Sequence, residues 1–481
     1  MLDTQLELNC IDLLAAMRGS SDLMLKRAKA GGVDICFVTF GGQTDANKLA
    51  NLVFRPLLSI TGEVTPKRLA EMIGSELPAA CEEKTVDTAE AVLGAAMNGE
   101  CVILIDGIGK GFAIGVQGFE TRSVTQPETH RNIRGSREGF VETLTTNISL
   151  VRRRVKSPDL VVHTMKLGRT SKTDVCLCYI DSMTDKKLLG AVSERLRELP
   201  LSLILESGYV QPFLEAKNPL FSEVGATERP DVFVSKLYEG RIGVIVDGSP
   251  FALYIPKLFS ENFITLDDYL DKPLFTLFIR LVRYMAFLIS ILLPGFYAAL
   301  ANFHPELIPD ALLRNLAASE ALTPYSVLTE CIILDVFYEI MREAGLRLPS
   351  NVGHAVSIVG GIVIGDIVVS AGLVGAPMLL TVAIASISGY IVSDLSSQIS
   401  VMRFAFIVMG GLFGVFGLTV TGFMFCVCIC SLRSYGIPFM LPISPFSRKA
   451  MRDTFTRAGW RELSRTDPDI FRKSKENDHE P

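Results

Sequence analysis

Long stretches without charged residues in the second half of the chain restrict its fold more than any other feature. Residues 284–303 contain no Asp, Glu, Lys or Arg, residues 352–392 contain only Asp366, and residues 404–432 are again uncharged. Twenty helical residues cover about 30 Å, the thickness of the hydrocarbon core of a bilayer. The mean hydropathy of +0.35 is high for a soluble protein. The sequence therefore predicts an all-α polytopic membrane domain over 273–435, with spans near 284–304, 355–375, 377–392 and 404–432.

The distribution of positive charge predicts the orientation of these spans. Residues 433–481 carry ten Lys or Arg against seven Asp or Glu, whereas the loop 301–351 is net acidic. Because positive loops stay in the cytoplasm, an even number of spans places a basic tail (436–481) and the amino-terminal half there. The first residues, MLDTQLELNC, lack the apolar stretch of a signal peptide, and ten cysteines without a paired framework favour a reducing compartment.

The first half is predicted to be a soluble α/β module of two similar subdomains. Short β-branched runs alternate with charged segments of helical period up to about residue 272. Residues 33–52 align without gaps to 173–192, a shift of 140 positions. Residues 99–107 match 240–248 at a shift of 141, and the agreement of the two shifts indicates a duplication. The predicted domains are a first subdomain (1–125), a charged linker (126–154) and a second subdomain (155–272).

An Asp-Gly pair follows the same strand in both copies, as Asp106-Gly107 and Asp247-Gly248. Asp forms local hydrogen bonds and Gly permits a positive φ, so the pairs predict hairpin turns. The alternative is a carboxylate that faces a ligand at the end of a strand. The sequence leaves both interpretations open.

Charged residues are dense between residues 128 and 154. Solvated salt bridges at a domain junction explain them simply, at under about 1 kcal/mol per exposed pair. The functional alternative is a subunit interface or a contact with anionic lipid, where each basic residue gains about 1 kcal/mol. The candidates for this role are Arg131, Arg134, Arg137, Glu138, Arg152, Arg153 and Arg154.

Small residues recur every three or four positions in two of the predicted spans, which lets helices approach closely. Asp366 follows the first of these stripes. A carboxylate within a bilayer costs about 2.5–3.5 kcal/mol on insertion scales, so Asp366 should face either a polar path or a buried partner. The candidates for an ion path or for helix packing are Gly361, Gly365, Asp366, Gly410 and Gly414. Glu330, Asp335 and Glu339 recur at helical spacing before the second span, where a solvated face explains them more simply than a cation-attracting ring.

The sequence contains no pattern typical of an enzyme. Its five histidines form no HExxH motif, and there is no Gly-x-Ser-x-Gly elbow. Cys426, Cys428 and Cys430 alternate along a predicted helix, so their thiols point to different faces and cannot converge on a metal. A net charge of −5 excludes a basic nucleic-acid-binding protein. We therefore predict no enzymatic activity, no cofactor, no metal site and no nucleic-acid partner.

Eight strings between the first subdomain and the third span are unusually specific. They are QPETHRNIRGSREGFVETLTTN (126–147), VRRRV (151–155), ILESGY (204–209), TERPD (227–231), LYEGRIGVIVDGSPF (237–251), LPGFYAA (293–299), HPELIP (304–309) and MREAGLRLP (341–349). In this order, within residues 33–445, the chain closely resembles the GerA (GerABKA) family of spore germination proteins, and in particular the A subunit of the nutrient germinant receptor.

This resemblance implies a membrane protein of the inner spore membrane that works with a transporter-like B subunit and a lipoprotein C subunit. It also implies that the A subunit forms homo-oligomers and forms or gates an ion-conducting path that starts germination. The strings fit equally well a close paralogue, the stage V sporulation protein AF, which would amplify germination. A secondary transporter and a membrane-tethered scaffold are further alternatives. A transporter is disfavoured because the visible repeat lies in the soluble half and not in the spans.

Overall fold

Two five-stranded antiparallel sheets and a group of long apolar helices make up the protein in this computed structural model. The structure describes residues 1–76, 83–118, 136–215, 220–347, 365, 367–447, 450–457 and 459. The prediction of a two-subdomain α/β module followed by a helical part is confirmed.

The first unit is a sheet with helices on both faces. Its elements are α1 (Leu6–Ala16), β1 (Leu23–Ala30), β2 (Val33–Phe40), α2 (Ala46–Lys48), a π-helical turn (Leu49–Phe54), α3 (Arg55–Leu58), α4 (Pro66–Glu76), β3 (Glu83–Val86), α5 (Ala89–Met97), β4 (Glu100–Ile105) and β5 (Gly111–Gly115). Alternate residues of β2 point to opposite faces. Cys36 and Val38 pack under α1 and α5, whereas Ile35 and Phe37 pack on the other side.

The second unit repeats this architecture. Its elements are α6 (Leu144–Arg154), β6 (Leu160–Leu167), β7 (Thr173–Ile180), α7 (Lys186–Arg197), α8 (Ser207–Leu214), β8 (Gly225–Thr227), α9 (Pro230–Tyr238), β9 (Ile242–Val246) and β10 (Ala252–Ile255). The strand orders, β1-β2-β4-β5-β3 and β6-β7-β9-β10-β8, correspond one to one. The helix caps are also equivalent, because Asp45 and Asp185 each accept a hydrogen bond from the backbone N–H two residues later.

The boundary between the units differs from the predicted linker. Helix α6 is the counterpart of α1, and both contain 11 residues. Leu144, Ile148 and Val151 of α6 belong to the core of the second sheet. The last part of the predicted linker is thus the first helix of the second unit, concealed in the sequence by its run of arginines.

The helical part follows a short 3₁₀ helix (Phe259–Phe263). Its elements are α10 (Asp267–Leu270), α11 (Pro273–Phe303), α12 (Asp310–Glu320), α13 (Val327–Arg347), α14 (Ala376–Tyr390) and α15 (Ser396–Ser431), then a small ribbon of β11 (Arg433–Ser434) and β12 (Ile437–Pro438), with further 3₁₀ turns at Pro305–Leu307, Ser393–Leu395 and Ala450–Asp453. Among the described residues, two helical segments, Pro273–Phe303 and Ser393–Ser431, are long and apolar enough to cross a bilayer.

Helix α15 reverses its direction at Gly414. This residue has φ 61° and ψ −147°, a conformation that glycine adopts most readily. A β-carbon added at Gly422 would lie 4.0 Å from the ring of Phe406, whereas 16 residues of straight helix would separate the two by about 24 Å. The two halves of α15 therefore fold back on each other as a helical hairpin.

The predicted spans correspond to the structure unevenly. Span 284–304 falls in α11 apart from its last residue, and span 377–392 corresponds mainly to α14, which has only 15 residues. Most of span 355–375 lies outside the described residues. Span 404–432 is not one straight helix, because Gly414 divides it. The positive φ of a glycine within an apolar run is not visible in a sequence, so this reversal was not predicted.

Candidate functional site: polar contacts that join the units and the helices

The Asp-Gly pairs lie in the β4–β5 and β9–β10 hairpin loops, where each also fixes a helix. The Oδ1 atom of Asp106 accepts a hydrogen bond from the N–H of Leu6 at 3.0 Å, and Asp247 accepts one from Leu144 at 3.0 Å. Both glycines have φ 85°. The two carboxylates thus cap the first turns of α1 and α6, which accounts for their position without a ligand.

Arg152 lies between the two units. Its Nε donates to Oδ2 of Asp22 at 2.8 Å, one terminal nitrogen donates to Oδ1 at 3.1 Å, and the other donates to the carbonyl of Ser157 at 3.0 Å. The side chains of Arg152 and Asp22 are 1% and 3% exposed. Because Arg152 is buried between the units of one chain, its guanidinium has no surface left for lipid.

The neighbouring charges of the predicted cluster form a second group. Glu138 contacts Arg153 at 2.5 Å and Arg154 at 2.6 Å. Partial burial raises the pKa of Glu138, but hydrogen bonds from the two arginines outweigh it and hold the pKa below its ordinary value. Arg137 is exposed, and Arg131 and Arg134 lie outside the described residues. The proposed interface role of Arg137 and of these two arginines stays a prediction.

A buried carboxylate connects the second unit to the helical part. Glu261, in the 3₁₀ helix after β10, pairs with Arg241 just before β9 and with Lys236 Nζ at 3.2 Å. Burial raises the pKa of Glu261, but the two cations lower it more, to about 2. The connection is therefore charged at every physiological pH.

Asp268 makes a similar contact just before α11. It accepts a hydrogen bond from Arg280 Nε at 3.0 Å and from Arg283 at 2.8 Å. Burial opposes ionisation of Asp268, and the hydrogen bonds and charge of Arg283 and Arg280 lower its pKa nevertheless. The start of the long apolar helix is thus tied to α10, the short helix that precedes it.

An ion-pair cluster lies between α13 and the first half of α15. Arg403 Nε donates to Asp335 at 2.5 Å, and a terminal nitrogen donates to Glu339 at 2.8 Å. Arg342 reaches the other oxygen of Glu339 at 2.6 Å, and the ring of Tyr338 lies 4.8 Å from the guanidinium carbon of Arg403. The side chain of Arg403 is 1% exposed, so the charge is enclosed by its partners.

A groove of about 580 Å³ opens beside this cluster. We call it the α13–α15 groove. It is lined by Asp335, Val336, Glu339, Ile340, Glu343, Ser400, Val401 and Phe404. Three carboxylates and one hydroxyl thus border an otherwise apolar surface, and each carboxylate pairs with an arginine: Asp335 and Glu339 with Arg403, and Glu343 with Arg347.

The prediction of a solvated face for Glu330, Asp335 and Glu339 is wrong for the first two residues. Glu330 and Asp335 are each 2% exposed. Glu330 accepts a hydrogen bond from the N–H of Gly375 at 3.2 Å, and Asp335 pairs with Arg403. Arg403, directly before the uncharged run 404–432, was the signal in the sequence that a carboxylate is buried nearby, because such a charge needs a carboxylate partner.

The predicted glycines have different surroundings. A β-carbon added at Gly410 would lie 2.4 Å from the carbonyl oxygen of Gly295, so α15 and α11 approach each other there at backbone distance. One added at Gly365 would lie 3.6 Å from Leu379, an ordinary contact. Gly414 forms the reversal. Gly361 and Asp366 lie outside the described residues.

One family model and several known proteins are similar in sequence to this chain. The family model described as the Bacillus/Clostridium GerA spore germination protein matches residues 12–468. Spore germination protein KA of Bacillus subtilis (strain 168) is 35% identical over 494 residues, covering 100% of this chain and 90% of the relative. Spore germination protein GerLA of Bacillus cereus is 30% identical, covering 94% of each chain.

A further relative and a solved structure are also similar to this chain. The uncharacterized membrane protein YfkQ of Bacillus subtilis (strain 168) is 32% identical, covering 96% of this chain and 91% of the relative. The crystal structure of the N-terminal domain of the A subunit of the Bacillus megaterium spore germinant receptor GerK3 is 29% identical, with a TM-score of 0.42, covering 54% of this chain and 97% of that chain.

Proposed function

Because the chain belongs to the GerA family of spore germination proteins, we propose that it is the A-type membrane subunit of a nutrient germinant receptor. In this proposal, copies of the chain assemble and form or gate a path for ions whose opening starts germination. Its partners are a transporter-like B subunit and a lipoprotein C subunit, with membrane lipid around the helices. It sits in the inner spore membrane with the soluble module on the cytoplasmic side, and it carries out no enzymatic step.

The observation that carries the ion path is the Arg403 cluster beside the α13–α15 groove. Charged side chains between apolar helices are costly, and those that persist pair with one another or border a water-filled cavity. Here Arg403 pairs with buried Asp335 and with Glu339, and Glu339, which also contacts Arg342, keeps 27% of its side chain exposed at the groove. The groove is therefore bordered by carboxylates that pair with arginines, and Glu339 is the member of the cluster that reaches the groove while the buried pair stays intact.

The proposal is tested with the full chain purified in detergent and reconstituted in vesicles loaded with a potassium-sensitive dye. A channel subunit passes cations passively, a secondary transporter needs a coupled solute, and a scaffold produces no flux. Glu339→Gln removes a groove charge while the Arg403–Asp335 pair stays intact, and it should lower the flux severalfold.

Glu306→Gln is the matched control, because it removes the same charge from the helical part at a residue that does not line the groove and whose side chain is 66% exposed. Flux that is unchanged in Glu339→Gln would remove the groove from the path. Asp366 is tested in the same way, since Asp366→Asn should lower the flux if that carboxylate faces ions. Unchanged ion release and assembly in that variant would end its proposed role.

Spores separate the receptor from the paralogue that amplifies germination. Spores that lack only this gene are given a panel of amino acids and sugars while the release of cations and dipicolinate is followed. Loss of the response to particular nutrients, with release by a surfactant intact, is expected of a receptor subunit. A slower response to every nutrient would assign the amplifying role instead.

A further inference from the structure

One side of helix α1 exposes three large apolar residues. Leu8, Ile11 and Leu14 are 42%, 53% and 45% exposed. Their spacing of three places them along one side of the helix, which we call the α1 outer face. The opposite side of α1, including Cys10 and Leu13, is buried in the first core. An apolar outer face on a short helix calls for an explanation, because the helix does not need it to fold.

The equivalent face of α6 is covered. The two helices align through their caps and through Asn9 and Asn147, whose side-chain amides both bridge the backbone of the residue six positions earlier. The positions of the α1 outer face then correspond, in the same order, to Thr146, Ser149 and Arg152, which are 9%, 6% and 1% exposed.

The first unit is what covers α6. Gln43 Nε2 donates to the carbonyl of Ser149 at 3.0 Å. A β-carbon added at Gly42 would lie 2.9 Å from the carbonyl oxygen of Thr145, so backbone meets backbone. Arg152 completes the contact through Asp22. The outer face of this type of helix is therefore a place where another unit of the same fold packs.

We propose that the α1 outer face docks a second copy of this chain. The described chain holds two units of this fold, and contacts of α6 already fix one against the other. A further unit against α1 must then come from another molecule. This inference rests on the proposed assembly of copies and identifies one surface through which they meet.

Charge favours this occupant over a lipid surface. Helix α1 carries Glu7 and Asp12 and has no Lys or Arg between its first and last residues. Helices that lie on anionic membranes are instead rich in basic residues. A stable interface needs about 800 Å² per partner, more than three side chains supply. The α1 outer face thus orients copies that are also held together elsewhere.

The experiment is site-specific photo-cross-linking of the full chain in membranes. Two versions of the chain with different tags are co-expressed, each with a photo-cross-linking amino acid at Ile11. The control position is Leu58 of α3, which is 52% exposed in the same unit. We expect a product that carries both tags from Ile11 and none from Leu58.

Leu8→Ser with Leu14→Ser should lower the yield from Ile11 about tenfold while the melting temperature is unchanged, because each truncation removes apolar contact from the interface. A cross-link within one chain, to lipid or to another protein would overturn the proposal. Ion flux is measured on vesicles that contain the same co-expressed chains. Flux without the two-tag product overturns the docking surface alone, and the product without flux overturns the ion path alone.

Discussion

The two soluble units share their internal supports and differ in the surfaces that face their neighbours. In both, an aspartate of the hairpin loop caps the first helix, and an asparagine in that helix holds the segment before it. The outer positions diverge. Leu14 of α1 is exposed where Arg152 of α6 is buried, and Glu100 pairs loosely with Lys84 where the aligned Arg241 is enclosed with Glu261.

The residues that stabilise the fold of each unit are therefore different from the residues that join a unit to its neighbours. The shared residues support the helix either from the hairpin loop beside its first turn or from within the helix itself. The divergent residues of the second unit contact the first unit on one side and the helical part on the other. The first unit has no such partner on α1 within the described chain, so its corresponding surface stays apolar and exposed.

Substitution of the buried Arg152 should have the largest effect. Arg152→Leu leaves the carboxylate of Asp22 buried without its partner, and breaking such a pair costs about 3–5 kcal/mol. We expect this loss in the free energy of opening between the units, measured by hydrogen exchange of α6 in the full chain.

The double variant Arg152→Leu with Asp22→Leu is the control for this prediction. Replacement of both partners by apolar groups removes the uncompensated charge and should recover most of the loss. A double variant as unstable as Arg152→Leu alone would show that packing, and not charge, joins the units.

Acid should weaken the other contact of the second unit. The pKa of Glu261 is lowered from an ordinary 4.5 to about 2, so its stabilising charge is fully present above pH 4.5 and is lost as the pH falls towards 2. The loss is up to about 3 kcal/mol, since one pKa unit corresponds to about 1.4 kcal/mol. Limited proteolysis between the second unit and α11, followed from pH 5 to pH 2, measures this effect.

Glu261→Gln should weaken the contact already at pH 7 and remove the extra acid sensitivity. Asp268 and Glu138 keep their own acid dependence in both proteins, because their pKa values are also lowered. The difference between the two profiles therefore reports Glu261. Identical profiles in the two proteins would exclude it as the charged connection.

Loss of the helix caps should be smaller and equal in both units. Asp106→Ala and Asp247→Ala each remove one hydrogen bond to the first turn of a helix, which costs about 1 kcal/mol. Hydrogen exchange of α1 and α6 measures the two effects in one protein. If Asp247→Ala cost several times more than Asp106→Ala, the two units would not share this support.

Local features of the fold were predictable from the sequence, because local residues produce them. The strands Val33–Phe40 and Leu160–Leu167 and the helix caps at Asp45 and Asp185 follow from residue patterns of a few positions. Contacts between distant residues were not predictable in this way. Asp22 and Arg152 are 130 residues apart, and nothing near either residue indicates the other.

The helical part shows the same limit. The uncharged runs identify apolar helices, but they do not reveal that Gly414 reverses one of them. The spacing of Asp335 and Glu339 correctly places both on one helix face. Their partner Arg403, which decides whether that face is solvated or buried, lies more than 60 residues later.

The reciprocal substitution on α1 should have the smallest effect. Leu14→Arg installs at the exposed position the residue type that α6 carries at the buried one. Because Leu14 is 45% exposed and the described chain does not cover it, the substitution should change the stability of the first unit by less than about 0.5 kcal/mol. Hydrogen exchange of α1, at a dilution where the chain is monomeric in detergent, measures this. A loss comparable to that of Arg152→Leu would mean that α1 is already covered within one molecule, and the two units would then be alike in their neighbours as well as in their fold.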